Sequence, residues 1–218
     1  STLMEDPLDD PWDSKHPPQT IVDFYRPRLE RTSAAAKTFL YALAVVGEPT
    51  PASVVEEIAG TRVSDTEAAI RELVNESLIT CTEGMVALRH GLLGEVATSS
   101  LSNIERQRLH GRVARVLTGT GRPSDAFVAI SLDIAGKRAD AFRAAMRACE
   151  ACDVLQARSE KEFFLKLALS NATTEIDKAH VRMELAEAYR IQKKPKEGIA
   201  VLDAVDEEDL PLPVRREV

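Results

Sequence analysis

Two periods of apolar residues alternate along this chain, and they divide it into elements. The stretch IVDFYRPRLERTSAAAKTFLYALAVVG, from residue 21, ends in a helical apolar run that closes on Gly47. Thr50-Pro51 has the form of an N-cap followed by proline at the first helical position, opening PASVVEEIAG, which Gly60 closes. Ser64-Asp-Thr-Glu67 has the capping-box pattern and opens a third helix, SDTEAAIRELVNES, with Ala68, Ile70, Leu73 and Val74 as its apolar face. The period then changes to two. LITC and MVALRH read as short strands joined by TEG, with Gly84 at the turn. Met85, Ala87 and Arg89 fall on one side of the second strand, and Val86, Leu88 and His90 on the other. GLLGEVATSS reads as a short helix. Three helices followed by a β-hairpin is the order of a winged helix-turn-helix, in which the hairpin covers a helical core too small to bury itself.

From there the helical period runs to the end. Ser102-Asn-Ile-Glu105 repeats the capping-box pattern ahead of IERQRLHGRVARVL, where Ile104, Leu109, Val113, Val116 and Leu117 form an apolar stripe. Further helical segments follow with short polar joints, the pattern of antiparallel pairs. Leu185, Ala186 and Tyr189, with Leu202 beyond them, have the small-large spacing of a tetratricopeptide repeat of period near 34, with Gly198 where that repeat prefers alanine. Ala148, Leu165, Ala168 and Leu169 fit the same template loosely. The expected organisation is an extended acidic, proline-rich arm over 1–20, a winged-helix domain over 21–103 and a helical repeat domain over 104–218. The fold class is mainly α.

Composition narrows the picture. Only 5% of the 218 residues are aromatic against 44% hydrophobic overall, which favours closely packed, alanine-rich helices over a β-sandwich. The net charge of −7 disfavours nucleic acid and anionic lipid on average. No apolar run is long enough to cross a membrane, and the N-terminal residues lack the pattern of a signal peptide. Three cysteines make an odd number, against a disulfide framework. The expected compartment is the cytoplasm. A first residue other than Met reads as a piece of a longer protein.

Four motifs invite chemistry. Arg89 and His90 stand where the second strand meets the next helix, with neither a serine elbow nor a nearby cysteine to pair with a catalytic histidine. They read as a structural joint, with His90 bonding backbone and Arg89 pairing with a carboxylate, or as a contact with a neighbouring domain. Cys149-Glu-Ala-Cys152 lacks the second ligand pair of a zinc site and the βαβ setting of a redox motif, so it reads as core. GTGRPSD lacks the spacing of a phosphate-binding loop. Arg108, Arg112 and Arg115 make a basic stripe on one helical face, either solvated or docking an acidic partner, and Arg26, Arg28 and Arg31 cluster similarly before the first helix. No catalytic residue, cofactor or metal is expected.

The segments RLERTSAAAKTFLYALAVVGEP, AAIRELVNESLI and VALRHGLLGEVATSSLSNIERQRLHGRVARVL together resemble the region that follows the nucleotide-binding domain in bacterial STAND-class ATPases, including MalT-like and SARP-type regulators. In that family an Arg-His signature leads from strand into helix, a second signature like ERQRLH follows, and helical repeats come next. Leu88 stands where the family has an aromatic residue. The resemblance implies a non-enzymatic regulatory segment that links an upstream nucleotide-binding domain to a repeat array, which binds a protein or small-molecule effector. Arg108, Arg112, Arg115, Arg89 and His90 are the candidate docking residues. The alternative is a winged-helix regulator that binds DNA directly. Against it, residues 34–92 carry a net charge of −4, and the third helix offers Arg71 among Asp65, Glu67, Glu72 and Glu76. Its one adenine-reading candidate, Asn75, lies near the wrong end. Nucleic acid is therefore not expected to bind this segment.

Overall fold

The computed structural model describes residues 19–119 and 125–204, and these are mainly helical. The expected arm up to residue 18, the tail from 205 and most of GTGRPSD lie outside the described residues. The chain falls into two compact units that divide between Ser102 and Asn103.

In the first unit the order is α1 (Gln19–Arg31), α2 (Ala34–Val46), β1 (Thr50–Pro51), α3 (Ala52–Ala59), α4 (Val63–Asn75), β2 (Ile79–Thr82), β3 (Met85–Leu88) and α5 (Gly91–Ser99). Helix α2 is its centre. An all-round apolar helix belongs in the interior, and Ala36, Phe39, Leu40, Ala42 and Leu43 are fully buried. Ser33 caps it by accepting the Ala36 N–H, and Gly47 ends it in the left-handed conformation (φ 75°), donating to the Leu43 carbonyl at 2.9 Å. Helices α3, α4 and α5 and strand β3 pack around it. The sheet is antiparallel in the order β1-β3-β2, with Ile79 opposite Leu88 and Thr82 opposite Met85. Glu83 and Gly84 both have positive φ, so the hairpin closes in a type I′ turn that matches the strand twist.

Four local expectations fail here. Thr50-Pro51 does not cap α3: it pairs with Val86 and Met85 as β1, and the Thr50 hydroxyl donates to the Glu48 carbonyl. Ser64 does not open a capping box. The chain already turns at Arg62, whose carbonyl accepts the Asp65 and Thr66 N–H groups, so Ser64 lies inside α4. The buried face of α4 is Thr66, Ala69 and Leu73, whereas Ala68 and Val74 are exposed. The arginines placed before the first helix lie on α1, which forms despite Pro27. Tertiary contacts hold that helix in place of the lost backbone bond: Tyr25 is buried, and Glu76, the residue that ends α4, accepts from Arg28 through its carbonyl at 3.5 Å and pairs with Arg31 through its carboxylate at 2.9 Å.

In the second unit α6 (Asn103–Gly119), α7 (Asp125–Ile134), α8 (Arg138–Leu155), α9 (Arg158–Asn171), α10 (Glu175–Ile191) and α11 (Pro195–Leu202) pack each on the next, and α7 also meets α9. Alanines at 144, 145, 148 and 168, all buried, let the axes approach closely around Leu165, Val181 and Leu185. Three joints share one build. Gly136, Gln156 and Lys193 are left-handed, with φ of 71°, 53° and 59°. At each, the following N–H reaches back one turn: Lys137 to Leu132, Ala157 to Cys152 and Lys194 to Tyr189, all at 2.9 Å. The repeat is therefore about 37 residues, from 156 to 193, rather than the expected 34. It sets Leu202 in register with Leu165.

Candidate docking groove

Helix α6 separates its chemistry by face. Leu109, Val113 and Val116 are buried against the unit, which turns Arg108 and Arg115 outward and leaves Arg112 half-buried. Between them lies Gly111. A Cβ there would meet the Ala135 side chain at 3.6 Å, so the α7–α8 joint comes close to α6 at this point and brings Lys137 with it. The result is an open groove of about 780 Å³, lined by Ile104, Gln107, Arg108, Gly111, Arg112, Arg115, Ala135 and Lys137. Four of those residues are cations and none is a carboxylate. Ile104, expected on the buried stripe, is 61% exposed and adds an apolar patch to the groove.

Elsewhere in the unit five cations are held by acids. Arg147 pairs with Asp125, Lys161 with Asp153, Lys166 and Lys194 with Glu162, and Arg190 with Glu187. Among the described residues no carboxylate pairs with Arg108, Arg115 or Lys137. An acidic molecule that concentrates cations in one groove has a local field there opposite to its net charge.

The histidine of ERQRLH is a joint. His110 Nδ1 lies 3.4 Å from the hydroxyl of the fully buried Ser131, which ties α6 to α7. Burial first, then the neighbouring Arg106 charge, push its pKa below the ordinary value and keep the ring neutral. Nothing in the spacing of ERQRLH announces Ser131 as its partner.

Arg89 and His90 depart from expectation. Both are exposed, and they belong to the other unit. His90 occupies the N-cap position of α5 without a side-chain cap bond, and no described carboxylate pairs with Arg89. The main chain closes this joint, with Arg89 N–H donating to Leu78 at 3.0 Å and Leu93 N–H to His90 at 3.1 Å. The His90 ring meets the Tyr25 ring, tilted at 6.4 Å.

Cys149 and Cys152 are buried in the core of the second unit. Burial pushes the Cys149 thiol up to about 12, the state of an inert core sulfur. No group of three metal-ligating side chains occurs among the described residues. Glu72 of α4 and Glu76, which ends it, tie that helix to its neighbours. Glu72 accepts from both the N–H and the hydroxyl of Ser33, at 2.6 and 2.7 Å, and Glu76 holds Arg31. Arg71 faces Glu67 at 3.9 Å. No described helix is long and apolar enough to cross a membrane.

No family model matches the chain, and no curated protein does. Among solved structures the chain is similar to a signal transduction ATPase with numerous domains carrying a tetratricopeptide repeat sensor, from Pyrococcus horikoshii. The identity is 14% and the TM-score 0.45, over 86% of this chain and 34% of that one. This chain thus spans about a third of that protein.

Proposed function

We propose that this chain is a non-enzymatic regulatory and interaction segment of a larger STAND-type ATPase. Its first unit is a winged helix used for packing, and its second is a repeat array that takes a protein or small-molecule effector. In this reading the groove of Arg108, Arg112, Arg115 and Lys137 docks an acidic surface, that of the nucleotide-binding domain upstream in the same protein. The observation that carries the reading is the groove itself: four cations and no carboxylate, beside an exposed isoleucine, in a chain of net charge −7. A solvated face needs no apolar anchor, whereas a docking face combines one with charge. Direct DNA binding is not favoured, because Glu72 of α4 and Glu76 just after it are tied to Ser33 and Arg31, and Arg71 faces Glu67.

The test uses a fluorescein-labelled octaglutamate peptide and a random DNA duplex, both read by anisotropy at low and physiological salt. The peptide binds, weakens with salt, and is lost in the Arg108→Glu/Arg115→Glu variant. The duplex binds no tighter than about 100 μM, the weak edge of non-specific association. Tight, salt-sensitive duplex binding abolished by Arg71→Glu restores the DNA reading. Peptide binding unaffected by the charge reversal removes the groove from the mechanism.

A further inference from the structure

The α8–α9 joint and the end of α10 enclose a cleft of about 340 Å³, a volume that suits a small molecule, and all of its walls are described residues. The neighbouring joint shows what is special about it. The α8–α9 and α10–α11 joints have the same left-handed residue and the same back-bond, so position 156 corresponds to 193 and the residues around them correspond in order. Cys152 and Ala157 line the cleft where the second joint has Tyr189 and Lys194, so the first joint lacks the bulk of a ring and a long side chain. Arg158 and Lys161 line it where the second joint has Pro195 and Gly198. The turn closes equally well with proline and glycine there, so its build does not require the two cations.

One of those cations holds the walls together. Lys161, 22% exposed, lies 2.6 Å from Asp153 of α8 and 3.8 Å from Glu184 of α10. The other is not used in this way: Arg158 is exposed, and among the described residues no carboxylate pairs with it. On the α10 side Glu187 lines the cleft with its carboxylate exposed, and Ala188 and Ile191 add apolar surface. The lining therefore offers both signs of charge, with three carboxylates against two cations. That excess of acid disfavours a simple anion and suits a ligand that carries an ammonium as well as a carboxylate.

We propose that this cleft binds a free amino acid with an apolar side chain, its carboxylate on Arg158, its ammonium toward Asp153 and Glu187, and its side chain against Ala188 and Ile191. A guanidinium takes a carboxylate through two parallel hydrogen bonds, which fixes the ligand's orientation. The proposal rests on the reading of the second unit as an effector-binding array and names the effector's chemistry. It is independent of the cationic groove on α6.

The probe is L-leucine, titrated against the full chain by ligand-observed NMR. Binding is expected at about 1 mM or tighter, within reach of a ligand this small. L-leucinamide lacks the carboxylate and isocaproate lacks the ammonium, and each binds at least about tenfold more weakly. Arg158→Gln, at an exposed position whose change leaves the circular dichroism unaltered, weakens L-leucine by a similar factor. Arg108→Glu/Arg115→Glu leaves it unchanged. The proposal is overturned if L-leucine fails to bind at about 10 mM, if L-leucinamide or isocaproate binds as L-leucine does, or if Arg158→Gln binds as the parent does. Loss of octaglutamate binding with L-leucine binding intact removes the α6 groove alone, and the reverse result removes this cleft alone.

Discussion

Glu162, on α9, is 15% exposed and accepts from Lys166 at 2.7 Å and from Lys194, just ahead of α11, at 3.0 Å. The Lys166 bond first, helped by Lys194, holds its carboxyl at about 2, well below the ordinary value of 4.5. A carboxylate depressed in the folded state contributes stability above its unfolded value, and that contribution is lost as pH falls from about 4.5 toward about 2. At about 1.4 kcal/mol per pK unit the full shift corresponds to roughly 3 kcal/mol. The lysine side chains are 55% and 43% exposed, so solvent screening reduces the usable part to about 1 kcal/mol. Urea melts followed by circular dichroism, run from pH 7 to pH 3 on the parent and Glu162→Gln, measure it. The parent is more stable by about 1 kcal/mol at pH 7, and the gap shrinks to under half of that by pH 3. A gap that stays constant with pH refutes the reasoning, because it then comes from packing and not from ionisation. The absence of any gap at pH 7 refutes it too.

Two further outcomes follow from packing and exposure. A Cβ at Gly94 would stand 3.1 Å from Leu88 Cδ1 and 3.6 Å from the Ala44 carbonyl. Gly94→Val therefore lowers stability by about 2 kcal/mol in urea melts, and an unchanged midpoint would show that α5 does not pack on α2 as described. With Ellman's reagent the exposed Cys81 reacts first, while buried Cys149 and Cys152, both with raised pKa, react only on unfolding; three equal rates contradict their placement in the core.

What the chain determines by itself is whatever its neighbours in sequence can enforce. Gly47, Gly60 and Gly84 end two helices and turn the hairpin because each sits at positive φ, where a side chain is strained. The all-apolar run of α2, the buried face of α6 and the alternating hairpin are equally local, since a single period decides which residues share a side. The arginine stripe at 108, 112 and 115 is legible for the same reason. Tertiary structure decides the rest. α1 forms through Pro27 because Tyr25 is buried and Arg31 finds Glu76, forty-five positions away. Thr50-Pro51 becomes a strand because Val86 and Met85 lie beside it. The stripe becomes a groove only where the α7–α8 joint crosses Gly111 and adds Lys137, and His110 is a joint only because α7 delivers Ser131. A helical period specifies that a face will be buried, but which element buries it depends on contacts between residues far apart in the chain, and no local pattern encodes those.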